Sequence, residues 1–67
     1  MKKATEYQEA SLKMKQLAAR AHAVHQKAVE KWQHGEIQDV WFDQEGHLCI
    51  RYQDGMYWHY NERGEWW

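Results

Sequence analysis

The last 28 residues constrain the fold most, because three glycine-marked turns divide them into short segments in which apolar and polar side chains alternate. Asp43-Gln44-Glu45-Gly46 and Asn61-Glu62-Arg63-Gly64 each place Asp or Asn first and Gly fourth, as in a type I turn followed by a glycine bulge. Asp54-Gly55 lies between them and matches a two-residue type I′ hairpin loop. The alternation predicts a four-stranded antiparallel meander, with strands near 36–42, 47–53, 56–61 and 65–67.

The preceding segment predicts one long helix over 5–34. It contains no Gly or Pro, Thr5 with Gln8 fits a capping box, and Gly35 stands where a helix C-terminus prefers a left-handed residue. Apolar residues recur three and four apart along it at Tyr7, Ala10, Met14, Leu17, Ala21, Val24 and Ala28. The chain is therefore expected to be a single α+β domain over 1–67, with the helix packed on one face of the meander at 36–67.

The turns also predict a register, and the register predicts which side chains share a face of the sheet. With Asp54-Gly55 as a two-residue loop, Ile50 lies opposite His59 and Cys49 opposite Tyr60. The more aliphatic face is then assigned to the helix and consists of Val40, Phe42, Leu48, Ile50, Tyr52, Tyr57, His59 and Trp67. The opposite face carries Ile37, Asp39, Trp41, Cys49, Arg51, Met56, Trp58, Tyr60 and Trp66.

The second face is predicted to contact another molecule, because a soluble monomer rarely leaves a large apolar patch in water. Aromatic side chains and arginine concentrate binding energy when they are desolvated. The residues expected to bind a protein partner, whose identity the sequence does not give, are Trp41, Arg51, Trp58, Tyr60 and Trp66.

The expected lengths of the helix and the sheet predict self-association. A helix over 5–34 would be about 43 Å long, whereas six-residue strands are only about 20 Å long. A second copy of the chain is the simplest surface to cover the excess, which predicts a homodimer or higher oligomer. The helical residues expected in that contact are Tyr7, Met14 and Leu17.

The charge distribution gives an alternative function. Up to Gly35 the chain has a net charge of +4, from seven Lys or Arg and three Glu, and after it a net charge of −5, from two Arg and seven acidic residues. Lys13, Arg20 and Lys27 recur every seven residues along one edge of the predicted helix. Such a stripe could follow phosphates, which indicates nucleic-acid binding. A solvated helix edge beside the protein's own acidic half explains the same pattern and is favoured.

The residues that often carry chemistry do not combine into a predicted site. His22 and His25 are three apart on the helix, but no Cys or carboxylate near them completes a zinc site. His47 shares a strand face with Cys49, but no third group orients it, so Cys49 is interpreted as a packed thiol. The expectation is a non-enzymatic protein without a metal or other cofactor. A single cysteine, with no secretory signal or membrane-span pattern, also predicts a cytoplasmic protein without a membrane partner.

Two resemblances add context. Trp58-His59-Tyr60-Asn61-Glu62-Arg63-Gly64 resembles the hairpin of choline-binding cell-wall repeats, which implies a choline or carbohydrate site on the row Trp41, Tyr60 and Trp66. A charged helix, then Asp39-Val40-Trp41-Phe42-Asp43, Leu48-Cys49-Ile50-Arg51-Tyr52 and a Trp-rich end, resembles small transposon-encoded proteins of bacteria. That resemblance implies an accessory protein of a mobile element and carries over no catalytic residues. The function predicted from the sequence is a small self-associating interaction module.

Overall fold

A computed structural model describes residues 4–67 and has the expected α+β architecture, one helix on one face of a four-stranded antiparallel sheet. The sheet order is β1-β2-β3-β4, and each strand is antiparallel to its neighbour. The elements in chain order are β1 (Thr5–Glu6), a 3-10 helix (Tyr7–Glu9), α1 (Leu12–Ala28), β2 (Ile37–Phe42), β3 (Leu48–Tyr52) and β4 (Tyr57–Tyr60).

The helix is shorter than the predicted 5–34. It contains 17 residues, and Ser11 caps its N-terminus by accepting a hydrogen bond from the Met14 N–H at 3.2 Å. Thr5 forms no capping box, because it lies in β1 opposite Val40. Pairing with the β2 edge satisfies the backbone there and outweighs helix propensity, which is a weak preference. At about 26 Å, α1 is close to the strands in length, so the premise for a helix-paired dimer was wrong.

The C-terminal boundary of the helix also differs, because Gly35 does not cap it. The cap is Val29, in extended conformation, and seven further residues, 30–36, lead to β2. Gly35 has a φ of +81°, and a Cβ there would clash with the Gln53 side chain. Oε1 of the same side chain accepts a hydrogen bond from the Glu36 N–H. Gly35 therefore permits a close approach to the turn after β3, which is a tertiary role and not a helix-ending one.

The β2–β3 register is confirmed, but the β3–β4 register differs from the prediction by one residue. Cys49 lies opposite His59, and Ile50 lies opposite Trp58. The cause is the turn at Tyr52 to Gly55, where the Gly55 N–H donates to the Tyr52 carbonyl at 2.9 Å and Gly55 has a φ of +88°. This is a type I turn with a glycine bulge and not a two-residue loop.

The other two turns have the same construction. The Gly46 N–H donates to Asp43, and the Gly64 N–H donates to the Asn61 carbonyl. Because side chains alternate along a strand, a shift of one residue moves every side chain of β4 to the opposite face. Trp58 and Tyr60 therefore lie toward α1, and Tyr57 and His59 point away from it, the reverse of the predicted faces.

The predicted fourth strand at 65–67 is reduced to a short extension along β4. Its pairing is nevertheless as expected, since Tyr60 forms an isolated bridge with Trp66, and His59 and Trp67 exchange two backbone hydrogen bonds at 2.9 and 3.1 Å. The fourth strand of the sheet is β1.

The core lies between α1 and the α1-facing side of the sheet. The helix contributes Met14, Ala18, Ala21 and His25, whereas Leu17 is 40% exposed. The buried line of the helix is therefore rotated from the predicted heptad. The buried sheet residues are Val40, Leu48, Ile50, Tyr52 and Tyr60.

A chain of hydrogen bonds crosses this core. Tyr60 Oη lies 2.7 Å from His25 Nδ1 and 2.7 Å from Tyr52 Oη, which lies 3.3 Å from His22 Nδ1. Burial raises the pKa of Tyr52 to about 12 and also raises the pKa of Tyr60, so both hydroxyls keep their protons. The two histidines thus bond to tyrosines and do not form a shared ligand pair.

No helix within residues 4–67 combines the length and the apolar character that crossing a membrane requires.

Candidate functional site

The sheet face turned away from α1, here called the open face, is organised as cross-strand rows of side chains. Residues directly opposite each other on antiparallel strands share a face, and the observed register assigns three rows. They are Asp39, Arg51 and Tyr57; Trp41, Cys49, His59 and Trp67; and Asp43 with His47.

The first row centres on an ion pair. Arg51 Nε donates to Asp39 Oδ2 at 2.9 Å, and a terminal guanidinium nitrogen donates to the same oxygen. The side chain of Asp39 is 8% exposed, whereas that of Arg51 is 47% exposed. The pair therefore satisfies a buried carboxylate and leaves much of the guanidinium available to solvent or to another molecule.

The aromatic residues of the open face form two contacting groups. Trp41 and Tyr57 have ring centroids 5.6 Å apart. Trp67 stacks on His59 at 5.5 Å with an interplanar angle of 11°, and its ring also meets His47 edge-on at 4.9 Å. Tyr57 and Trp67 are 53% and 51% exposed. Large rings thus remain in contact with water on this side of the sheet.

Asp43, His59 and Cys49 lie together at one end of the face. Asp43 Oδ1 accepts hydrogen bonds from the backbone N–H groups of Glu45 and His47 at 2.9 and 2.8 Å, which fixes the turn. Its Oδ2 lies 2.9 Å from His59 Nδ1, and that nitrogen lies 3.1 Å from Cys49 Sγ. Because a carboxylate only accepts, the His59 Nδ1–H donates to Asp43.

The electrostatics of this cluster keep the carboxyl ionised and the sulfur protonated. Burial acts to raise the pKa of Asp43, but hydrogen bonds from the His47 N–H, the His59 ring and the Glu45 N–H lower it overall. Burial, together with the Asp43 charge, raises the pKa of the Cys49 thiol to about 11. At neutral pH Cys49 is therefore a thiol, which is a poor nucleophile.

The structure divides the predicted partner-binding residues between the two faces. Trp41 and Arg51 lie on the open face, but Tyr60 is only 4% exposed in the core. Trp58 packs its ring edge-on against His25 at 4.9 Å. These placements were predicted wrongly, because the assumed register was shifted by one residue.

Trp66 also belongs to the α1 side, where its ring stacks on His25 at 4.5 Å. The row Trp41, Tyr60 and Trp66, expected to form a choline or carbohydrate site, is therefore split across the sheet and does not assemble.

Three residues of the open face were missed from the sequence, namely Tyr57, His59 and Trp67. A signal for them exists in the spacing of Gly46, Gly55 and Gly64, which recur every nine residues. Equal spacing indicates three turns of one kind. A type I turn with a bulge at Gly55 would have placed all three residues correctly.

The residues predicted for a helix-paired dimer do not form one surface. Tyr7 lies in the 3-10 helix, packs against the core and has its hydroxyl 3.5 Å from the Lys15 carbonyl oxygen. Met14 packs against the core, and Leu17 lines an open groove of about 810 Å³ between α1 and the turns at 43–46 and 61–64.

The basic stripe is present as expected. Lys13, Arg20 and Lys27 are exposed on α1. Within residues 4–67, none of these three forms an ion pair with a carboxylate. Binding of nucleic acid by this edge stays a prediction.

Comparisons with family models, with curated proteins and with solved structures find no match for this chain. The resemblance to small transposon-encoded proteins therefore stays a prediction, and the proposed function rests on the geometry of the open face.

Proposed function

We propose that this chain is a small, non-enzymatic interaction module that self-associates through its open face. The observation that carries the proposal is the one-sided cover of the sheet. Helix α1 packs on one face only, and the other exposes about half of Tyr57 and of Trp67 beside a half-exposed Arg51. Exposed rings grouped in this way are typical of contact surfaces.

A second copy of the chain is the occupant that the side chains favour. A two-fold contact requires a surface that is complementary to itself. The open face supplies both halves of a cation–π pair. The guanidinium of Arg51 lies in the same cross-strand row as Tyr57, and the neighbouring row contains Trp41. Two copies packed through their open faces, with the two-fold axis passing between Arg51 and Tyr57, would place each Arg51 over the Tyr57 ring of the other copy.

The chemistry of the face supports a binding role over catalysis. Cys49 is the cysteine of this face, and its pKa of about 11 keeps it protonated at neutral pH. The Asp39 carboxylate is neutralised by Arg51. Both groups support the interface by packing and pairing.

Sedimentation equilibrium across a concentration series tests self-association. The wild-type chain is expected to rise from 8.2 kDa toward twice that mass as its concentration increases. Tyr57→Ser and Trp41→Ala should each weaken dimerisation by about tenfold or more, because a lost aromatic contact costs about 1.4 kcal/mol or more. Leu12→Ser is the matched control, since Leu12 is 72% exposed on α1 and should not affect the mass.

A wild-type chain that stays at 8.2 kDa up to millimolar concentration would rule out self-association. If Leu12→Ser lowered the sedimentation mass equally, the dimer contact would lie on the helix side. That result would contradict its assignment to the open face.

A further inference from the structure

We propose that Asp43, Cys49 and His59 form a binding site for a divalent transition-metal ion of the zinc class. The three side chains come from the turn before β3, from β3 and from β4. The site is independent of self-association, because all three ligands belong to one chain.

The spacing of the ligand atoms fits a single ion. One carboxylate oxygen, the Cys49 sulfur and a His59 ring nitrogen all lie within 4.8 Å of one another. Zinc bonds of about 2.0–2.3 Å in a tetrahedral arrangement separate neighbouring ligand atoms by about 3.3–3.7 Å. The distances from His59 Nδ1 to Asp43 Oδ2 and Cys49 Sγ are 2.9 and 3.1 Å. Both distances are a few tenths of an ångström short of the required separations, so a small outward movement of the His59 ring would make room for an ion.

A neighbouring nitrogen provides a second, independent observation. His47 Nδ1 is buried, and among the described residues it has no hydrogen-bond partner. It lies 3.5 Å from Asp43 Oδ2 and 3.7 Å from Glu45 Oε2, and the first distance is close to the separation of two ligands on one ion. A buried polar atom without a partner is costly. An ion held at Asp43 would give this nitrogen a partner and a fourth ligand position.

The donor set selects the class of metal. Calcium and magnesium prefer oxygen ligands, whereas a thiolate and an imidazole favour zinc and its first-row neighbours. On binding, the thiol of Cys49 loses its proton to solvent, and the proton on His59 Nδ1 moves to Nε2. The charge of the ion makes the thiolate favourable in a place where burial alone disfavours it.

The surroundings hold the ligands before any ion binds. Asp43 is fixed by two backbone N–H groups, and the Trp67 ring packs on His59. Cys49 is fully buried within the sheet. Such support from neighbouring groups orients metal ligands and raises affinity.

A second histidine–carboxylate pair serves as an internal control. His34 Nδ1 lies 2.5 Å from Asp54 Oδ2. Within the described chain it belongs to no group of three metal-ligating side chains, and the only cysteine is Cys49. A metal that bound histidine and carboxylate without selectivity would use both pairs.

Titration of the reduced full-length chain with cobalt(II) chloride, followed by absorption, tests the site. The wild type is expected to bind one ion per chain, with a sulfur-to-cobalt charge-transfer band in the near ultraviolet and intense visible bands typical of four-coordinate cobalt. Cys49→Ser should abolish the charge-transfer band, and His59→Gln and Asp43→Asn should each weaken binding by about tenfold or more. His34→Gln should bind as the wild type does, and zinc should displace the cobalt.

Far-ultraviolet circular dichroism of each metal-free variant confirms that it folds. If Cys49→Ser does not fold, His59→Gln carries the test. The proposal is overturned if the wild type gives no charge-transfer band at millimolar cobalt, if the band persists in Cys49→Ser, or if His34→Gln loses it equally. Sedimentation equilibrium with a chelator present tests dimerisation separately from metal binding, because the proposed dimer contact does not require the metal.

Discussion

Trp58→Ala is expected to lower the free energy of unfolding by about 3 kcal/mol, whereas Tyr57→Ala at the adjacent position should lower it by less than about 1 kcal/mol. The Trp58 ring lies within 6.3 Å, centroid to centroid, of four aromatic rings under α1, those of His25, Trp32, His34 and Tyr52. Tyr57 is 53% exposed on the open face. Removing the partly buried Trp58 ring leaves a cavity beside these four rings, whereas removing the exposed Tyr57 ring does not.

The size of this effect should be plain in a chain of 67 residues, whose whole stability is expected to be about 3–10 kcal/mol. A loss of about 3 kcal/mol lowers the midpoint of thermal unfolding by about 12–24 °C in a small domain. Urea unfolding at low chain concentration measures the difference without a contribution from the dimer. A larger loss in Tyr57→Ala than in Trp58→Ala would return β4 to the register first predicted from the sequence.

Acidification from about pH 7.5 to about pH 5.5 is expected to destabilise the fold through His25 and His22. Burial lowers the pKa of both rings below the ordinary 6.5, and the charges of His34 and His22 lower that of His25 further. His25 is 3% exposed and bonds to the Tyr60 hydroxyl. The neutral ring is therefore the form that fits the core.

The sign of the effect follows from where protons bind. In the unfolded chain these histidines bind protons as the pH falls through about 6.5. In the folded protein they stay neutral until the pH is lower, because their pKa values are lowered. Their contribution to stability is complete above pH 6.5 and is lost progressively as the pH falls toward the depressed folded pKa values. The pKa of Asp54 is lowered by the hydrogen bond from His34. Its contribution to stability is therefore lost in a separate pH range, below the ordinary carboxyl pKa of 3.8.

Urea unfolding with a chelator present, at several pH values, measures this dependence. His22→Gln and His25→Gln should each reduce the loss of stability between about pH 7.5 and 5.5, and the double variant should nearly remove it. An unchanged pH dependence in the double variant would assign the acid sensitivity to other groups. Glutamine is chosen because its amide oxygen can still accept the tyrosine hydrogen bond.

The parts of the fold that were predictable are those fixed by local turn chemistry. Asp43 and Gly46 determine their hairpin by side-chain and backbone hydrogen bonds within five residues, and the β2–β3 register follows from it. The same holds for the pairing of His59 with Trp67 beyond Gly64.

The errors arose where two structures were locally compatible with the same residues. Asp54-Gly55 suits a type I′ loop as well as the end of a type I turn with a bulge. Packing under α1 favours the second, because it brings Trp58 and Tyr60 beneath His25. At the N-terminus, Thr5 suits a helix cap or an edge strand, and pairing with β2 decides the outcome.

The candidate site was hidden by the same one-residue error. In the predicted register Cys49 lies opposite Tyr60 and has no neighbouring metal ligand. In the observed register it lies opposite His59 and completes a cluster with Asp43. The histidine closest to Cys49 in sequence, His47, contributes only a buried ring nitrogen 3.5 Å from Asp43 Oδ2. Distances across strands depend on register, and composition carries no information about register.

Nuclear Overhauser contacts between Hα protons of β3 and β4 test this register most directly. Cys49 and His59 form a pair that does not exchange backbone hydrogen bonds, since the His59 backbone bonds to Trp67, and such pairs bring their Hα protons close together. A strong contact between the Hα protons of Cys49 and His59, with a second between Arg51 and Tyr57, is the predicted result. Contacts joining Cys49 to Tyr60 or Ile50 to His59 would contradict the open face and the metal site together.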